Sequence, residues 1–268
     1  MRDLTFGFSP CPNDTFAFHA LVAGLIDEPV RVQPRMADIE TLNQLAHAGE
    51  LELTKLSFGA LAALEGEYVP LRSGAALGRG VGPLVVAREP MELGRAAAGP
   101  IAIPGRDTTA YLLLGLAAGD DLGDVVEMRY DKILQAVEQG DVEAGLIIHE
   151  SRFTYADHGL VKVCDLGEWW EQYSGGMPVP LAAICTRRDV DDETRAIVER
   201  ALRASVEHAF AHPEASAQFV QTHAQEMSPA VQRQHIDLYV NDYTIDLGDD
   251  GLAAVDALLK AARTPAPR

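Results

Sequence analysis

The sequence is short of cysteine, of basic charge and of long apolar runs, and each shortage excludes something. Its three cysteines, Cys11, Cys164 and Cys185, are scattered and form no CxxC or Cys/His pair at metal spacing. That argues against a zinc finger or a disulfide framework and for reduced thiols. Lys and Arg number 22 against 40 Asp and Glu, a formal net charge of −18. A chain so acidic lacks the basic footprint that nucleic acid demands and is repelled by anionic membrane surfaces. It still admits a small anionic ligand, because cellular salt screens charges beyond about 8 Å and donors in a cleft outweigh distant acids. No apolar stretch approaches the roughly 20 residues of a membrane-spanning helix. The beginning of the chain reads at once as a strand, Leu4–Phe8, without the basic and apolar regions of an export signal. A cytoplasmic location is therefore expected.

What is present is an alternation of strand-like and helix-like segments. Leu4–Phe8 runs into the turn Ser9–Asp14, where Asn13 or Asp14 is expected to cap a helix. Val30–Pro34 is a second strand, and Asp38 caps a helix with Ile39, Leu42, Leu45 and Ala46 on one face, ending at Gly49. The strand-like stretch from Leu51 leads through Lys55 and Ser57 into an Ala/Leu helix reaching Glu65. Val69–Arg72 is a strand. The glycine-rich Ser73–Pro83 has neither dinucleotide-loop spacing nor a phosphate-loop lysine, and reads as an irregular crossing into strand Leu84–Ala87.

Ile101–Ile103 then opens a second unit, followed by the turn Pro104–Asp107 and a helix from Thr108. Val125–Arg129 is a strand, Asp131 is expected to cap Lys132–Gln139, and Ala144–Ile148 delivers His149. After strand Val161–Cys164 and the Trp169-Trp170 pair, Leu181–Thr186 reads as the return. The remainder is helical: Thr194–Ala211, about 214–224, a helix started by Ser228 and Pro229, and Asp249–Ala262, with a proline-rich tail expected to fray. The pattern predicts an α/β chain with a two-lobe, periplasmic-binding-protein-like (type II) fold and two crossover strands. One lobe comprises residues 1–85 plus 182–268; the other, 86–181, is inserted.

In open α/β sheets ligands sit beyond the carboxyl ends of strands. An apolar strand that empties into His149-Glu150-Ser151-Arg152 points an imidazole at such a cleft, and histidine is the side chain suited to proton transfer near neutral pH. Lys55 and Ser57 form a donor cluster at another strand end. Thr108, Thr109 and Ala110 open a helix whose free N–H groups suit an anion, with Arg106 in the preceding loop expected to help. Asn43 is either exposed or faces the cleft. The Cys11 thiol, near a helix start, is one whose pKa would fall. His19, His47, His158, His208, His212, His223 and His235 show no paired spacing and read as structural or surface groups.

Five blocks in order resemble one family: Ser9-Pro10-Cys11-Pro12-Asn13-Asp14-Thr15-Phe16, Leu53-Thr54-Lys55-Leu56-Ser57, Arg72-Ser73-Gly74 with Leu77–Pro83, Pro104-Gly105-Arg106 with Thr108–Tyr111, and Gly145–Tyr155. Together they look like the 1,4-dihydroxy-6-naphthoate synthases of the futalosine route to menaquinone. The resemblance implies a carbon–carbon lyase that converts cyclic dehypoxanthine futalosine to 1,4-dihydroxy-6-naphthoate and dihydroxyacetone, with no metal or redox cofactor. It carries binding roles onto Lys55, Leu56, Ser57, Thr109 and Ala110, and the proton-accepting role onto His149. Two other readings remain: the chorismate dehydratase-like sibling of the same route, and a non-catalytic solute-binding protein. A monomer or homodimer acting on a small anionic substrate is expected. For Asn13, Arg79, Glu150, Arg152, Trp169 and Trp170 the sequence alone assigns no ligand contact.

Overall fold

The computed structural model describes residues 2–225 and 228–263. The proline-rich tail lies outside the described residues. Two sheets divide the strands. The first is built from β1 (Arg2–Phe8), β2 (Val30–Met36), β3 (Leu53–Ser57), β4 (Tyr68–Pro70) and β5 (Ala76–Gly78). The second takes β6 (Leu84–Ala87), β7 (Ile101–Ile103), β8 (Val125–Glu127), β9 (Ala144–Ile147) and β10 (Val161–Asp165). The long β11 (Val179–Arg187) returns to the first sheet. Strand order is β2-β1-β3-β11-β4 in one, with β5 also on β11, and β10-β6-β9-β7-β8 in the other. Neighbours β1, β2 and β3 run parallel, as do β7, β8 and β9. The strands that arrive from the other sheet, β11 and β6, lie antiparallel to β3 and β9. The chain thus changes sheets twice, between Gly78 and Leu84 and between Asp165 and Val179.

Helices link successive strands: α1 (Pro12–Val22), α2 (Ile39–His47), α3 (Phe58–Leu64), α4 (Leu93–Ala98), α5 (Thr109–Ala118), α6 (Ile133–Gln139), α7 (Ser151–Thr154) and α8 (Leu166–Tyr173). After β11 come α9 (Asp192–Ala211), α10 (Ala217–His223), α11 (Pro229–Tyr239), α12 (Asp242–Ile245) and α13 (Gly248–Arg263). Asp38 caps α2 as expected, accepting from Thr41 N–H at 3.2 Å, a bond worth about 1 kcal/mol. One apolar core runs from Leu56, Phe58 and Leu61 of the first unit to Leu113, Leu114 and Ala144 of the second, so the units pack directly together. A separate cluster around Phe6, Phe8, Phe18 and Leu202 backs β1.

Four local expectations are corrected. The N-cap of α1 is Cys11, with Pro12 following at the first helical position. Asp14 does not cap forward; it folds back to accept from the N–H of Ser9 at 3.0 Å and its hydroxyl at 2.7 Å. Asp131 does not cap α6. It sits inside a 3-10 turn and pairs with Arg129 at 2.5 Å, which outcompetes a backbone cap. The glycine-rich crossing contains β5. Finally, β11 starts at Val179, because Pro180 is tolerated where the pairing with β5 shifts register between Pro180 and Ala182. Among the described residues, no helix is long and apolar enough to cross a membrane.

Candidate active site

The carboxyl ends of β3 and β9 and the N-termini of α1 and α5 converge on one cleft of about 560 Å³, partly open to solvent, between the two sheets. Its lining includes Asn13, Lys55, Ser57, Thr108, Thr109, Ala110, His149 and His235. Six of the eight sequence-predicted site residues are therefore brought together from three distant parts of the chain.

Lys55 and Ser57 alternate onto the same face of β3, as a period of two requires. Leu56 points the other way. It is 0% exposed and belongs to the apolar core, so its side chain is not a cleft contact. The Lys55 ammonium forms a buried ion pair with Asp14. An ammonium has three donors, so one carboxylate oxygen does not exhaust it. Asp14 also accepts from Asn13 Nδ2 at 2.8 Å. Asn43 stands behind the cleft, fully buried: its carbonyl accepts from Ser57 N–H at 3.0 Å and its amide donates to Ser57 Oγ at 3.1 Å. It holds Ser57 and does not line the cavity.

At α5 the hydroxyls are already engaged. Thr108 Oγ1 caps the helix by accepting from Tyr111 N–H at 3.1 Å and donates to Gly105 O at 2.7 Å. Thr109 Oγ1 donates to Leu181 O at 2.6 Å and accepts from Gly59 N–H at 3.2 Å, joining the two units. What this helix presents to the cleft is its first-turn backbone N–H groups, which have no intrahelical acceptor. Arg106 takes no part: it is exposed and paired with Glu127 at 2.6 Å.

His149 follows β9 with φ 57°, a left-handed backbone that no other non-glycine described residue adopts and that costs a side-chain-bearing residue energy. The residue is half-buried, but its Nε2 is buried and has no hydrogen-bond partner. Burial first, and then the nearby Lys55 charge, lowers its pKa from 6.5 to about 4. At neutral pH the ring is therefore uncharged with an available lone pair. The Tyr130 ring meets it edge-on at 5.0 Å.

His235 was missed by sequence reasoning, which took it for a structural or surface group. It lies on α11, 1% exposed, with its ring centroid 6.1 Å from that of His149. The available signal was its spacing of four from Tyr239, also in the lining, which puts both on one helix face. Of the residues left open, Asn13 lines the cleft. Arg152 instead grips Gly82 O at 2.9 Å and Asp165 at 2.7 Å, and Arg79 donates to Gly176 O, so both tie the crossing segments. Trp170 is core, its Nε1 donating to Pro178 O at 3.0 Å, and Trp169 stacks on Tyr173.

Cys11 is also corrected. Burial, reinforced by Glu150, pushes its thiol up rather than down, because desolvation outweighs the helix start. Donor atoms of Cys11, His149 and Glu150 lie within 4.8 Å of one another, a group that could hold a metal ion.

This geometry can bind an anionic, hydroxyl-bearing small molecule and remove a proton from it. Comparison with known proteins identifies the family and the fold. A family model described as menaquinone biosynthesis matches residues 4–264. A 1,4-dihydroxy-6-naphthoate synthase of Thermus thermophilus is 51% identical over 273 residues, covering 100% of this chain and 98% of that one. The Streptomyces coelicolor protein of the same name is 45% identical, covering 97% and 92%. A crystal structure of protein AF1704 from Archaeoglobus fulgidus superposes with a TM-score of 0.91 at 36% identity, over 97% of this chain and 96% of that one. The alkanesulfonate-binding protein of Xanthomonas axonopodis shares the fold alone, with a TM-score of 0.70 at 14% identity over 99% and 94%. The architecture is accordingly that of the periplasmic binding proteins, and the chain belongs to the menaquinone-biosynthesis family.

Proposed function

We propose that this protein is a 1,4-dihydroxy-6-naphthoate synthase: a carbon–carbon lyase that splits cyclic dehypoxanthine futalosine into 1,4-dihydroxy-6-naphthoate and dihydroxyacetone, without a cofactor, in the cytoplasm. The observation that carries the reading is the His149 ring, uncharged, with a buried and unpartnered Nε2 in a cleft walled by uncharged and cationic donors.

The substrate carboxylate is seated on the N–H groups of Thr109 and Ala110 at the start of α5, with Thr108 shaping the turn. Lys55 and Ser57 face it from β3, and Asn43 fixes Ser57. His149 Nε2 accepts a hydroxyl proton. That oxygen becomes a carbonyl as the carbon–carbon bond breaks, and the electron pair of the broken bond stays on the three-carbon fragment. The fragment takes up a proton and leaves as dihydroxyacetone, while the remaining ring enolises to the aromatic naphthoate. Positioned acid–base catalysis of this kind contributes about 10²–10⁴-fold, and aromatisation supplies the driving force. We take residues 1–85 with 182–268 as one lobe and 86–181 as the other, closing over the ligand to exclude water. The acting form is a monomer or homodimer.

Incubation with cyclic dehypoxanthine futalosine should release a naphthoate chromophore; chorismate and a ligand-only control separate the dehydratase and solute-binding readings. A folded His149→Asn protein should still bind substrate and lose most turnover. Near wild-type turnover would remove the imidazole from the chemistry.

A further inference from the structure

His235 is more than packing. Its Nε2 lies 3.0 Å from Asn13 Oδ1. The Asn13 amide is fixed in turn, because its Nδ2 donates to Asp14 Oδ1, the oxygen that pairs with Lys55. Asn13 Oδ1 is therefore an acceptor, and His235 Nε2 must carry the hydrogen. A neutral imidazole protonated at Nε2 bears its lone pair on Nδ1. Burial, together with the neighbouring His149 and Lys55, holds the His235 pKa well below 6.5, which keeps the ring neutral. Its Nδ1 is buried with no hydrogen-bond partner. The nearest carboxylate oxygen, on Glu150, is 3.9 Å away, beyond hydrogen-bond reach.

A histidine serving only to pack a helix has both nitrogens satisfied or one in water. This one has its donor tied into the chain Asn13–Asp14–Lys55, its Nδ1 without a hydrogen-bond partner, and its ring in the lining of the cleft. The ring sits between His149 and Tyr239, with centroids at 6.1 and 4.7 Å, and the Asn13 bond sets which nitrogen faces which way. Two rings that each carry a buried, unpartnered nitrogen, His149 Nε2 and His235 Nδ1, thus line one cavity. With the His149 proton on Nδ1, as the proposed function requires, two acceptors on adjacent rings are complementary to a ligand with neighbouring hydroxyl groups, each a donor.

We propose that His235 is a second substrate-contacting residue, whose Nδ1 accepts a hydrogen bond from a hydroxyl of the polyhydroxylated fragment beside the one His149 deprotonates. The idea rests on the proposed function for the nature of the substrate, and on the hydrogen-bond network alone for the tautomer. Asn13 is then a positioning residue that selects which His235 nitrogen faces the ligand.

The test pairs two variants with one spectroscopic measurement. His235→Gln keeps an amide that reaches Asn13 and lacks the Nδ1 acceptor. His235→Asn places a carbonyl oxygen near the Nδ1 position and gives up the Asn13 bond. His235→Gln should lose about tenfold to hundredfold in kcat/KM, and His235→Asn should recover part of that loss. Histidine ring ¹⁵N spectra of the wild-type chain should show His235 protonated at Nε2 only, with the Nδ1 resonance moving on addition of dihydroxyacetone. A proton on Nδ1, or an Nδ1 resonance that ignores dihydroxyacetone, overturns the proposal even where a variant fails to fold. Wild-type kcat/KM in His235→Gln overturns it while leaving the naphthoate synthase reading intact. Absence of naphthoate from the wild type, with Nδ1 still responding to dihydroxyacetone, sinks that reading and keeps the hydroxyl contact.

Discussion

Gly59 offers the sharpest test of how the cleft is held. It lies in the first turn of α3, two residues after Ser57, and its N–H donates to Thr109 Oγ1 of α5 at 3.2 Å. A Cβ added there would stand 2.7 Å from Thr108 O and 2.8 Å from Asp107 O. Both are backbone atoms, so no side chain can swing aside. Carbon–oxygen contacts settle near about 3.3 Å, so Gly59→Ala has to move the start of α5 away from α3 by roughly 0.6 Å. A misplacement of about 1 Å costs about 10²-fold in rate; half of that displacement predicts about a tenfold loss in kcat/KM. Displacing packed backbone costs about 1–2 kcal/mol, so the melting temperature should fall by only about 2–8 °C. Alanine in a helix gains about 0.5–1 kcal/mol over glycine, against roughly the same amount for the weakened Gly59–Thr109 bond. Naphthoate release kinetics and a thermal melt on the same preparation decide the matter. Wild-type kcat/KM in Gly59→Ala would refute the idea that this contact sets the spacing of the donor groups. A tenfold loss accompanied by a melting temperature lower by about 10 °C would assign the effect to unfolding instead.

The remaining predictions concern buried charge. Lys55→Met leaves the Asp14 carboxylate buried without its cation, at 2% exposure. That costs about 3–5 kcal/mol, or a fall of about 6–20 °C in melting temperature by calorimetry; a change under about 2 °C would contradict the pairing. Because His149 titrates near 4 in the folded protein and near 6.5 when unfolded, kcat/KM should hold as pH falls through the ordinary imidazole range and decline only toward 4. Acid favours the unfolded chain across the same window, since only the unfolded ring takes up the proton there. Stability is therefore full above about 6.5 and lost on descent toward 4, and His149→Asn should flatten that slope in urea titrations. A thiol reagent should label half-buried Cys164 first and reach Cys11 and Cys185, at 2% and 0% exposure, only on unfolding.

What could be read from the chain was what periodicity and strand ends encode. β6 and β7 fall where the apolar runs put them, and His149 is legible because a buried strand stops on it. Partner choice was not legible. Nothing local says that Asp14 turns back to Ser9 and Lys55 instead of capping α1, or that Asp131 prefers Arg129, because side-chain competition is settled by distant neighbours. Leu56 entered through the family resemblance, and strand alternation sends its side chain into the core. His235 escaped notice because α11 joins the cleft through tertiary packing, far in sequence from the strand-end loops. Arg106 shows the converse: it is close in sequence to the anion-binding helix start and is drawn outward by Glu127.

The strained backbone at His149 and the crossing segments belong to one device. A left-handed non-glycine residue persists only where its surroundings over-determine it, at about 1–3 kcal/mol. On its N-terminal side β9 is clamped between β6 and β7. On its C-terminal side Arg152, three residues on, holds Gly80 O, Gly82 O and Asp165, which flank both passages between the sheets. Gly82 in turn packs so tightly on Gly167 that a Cβ would lie 2.6 Å from its Cα. The imidazole is thus fastened to the places where the two units would hinge. A change in their relative angle must pass through the Arg152 contacts to the turn that aims His149. Arg152→Lys removes the fork that reaches three acceptors while keeping the charge, so it should lower kcat more than it raises KM. A pure rise in KM would mean that the crossing segments carry ligand access and leave the aim of the ring untouched.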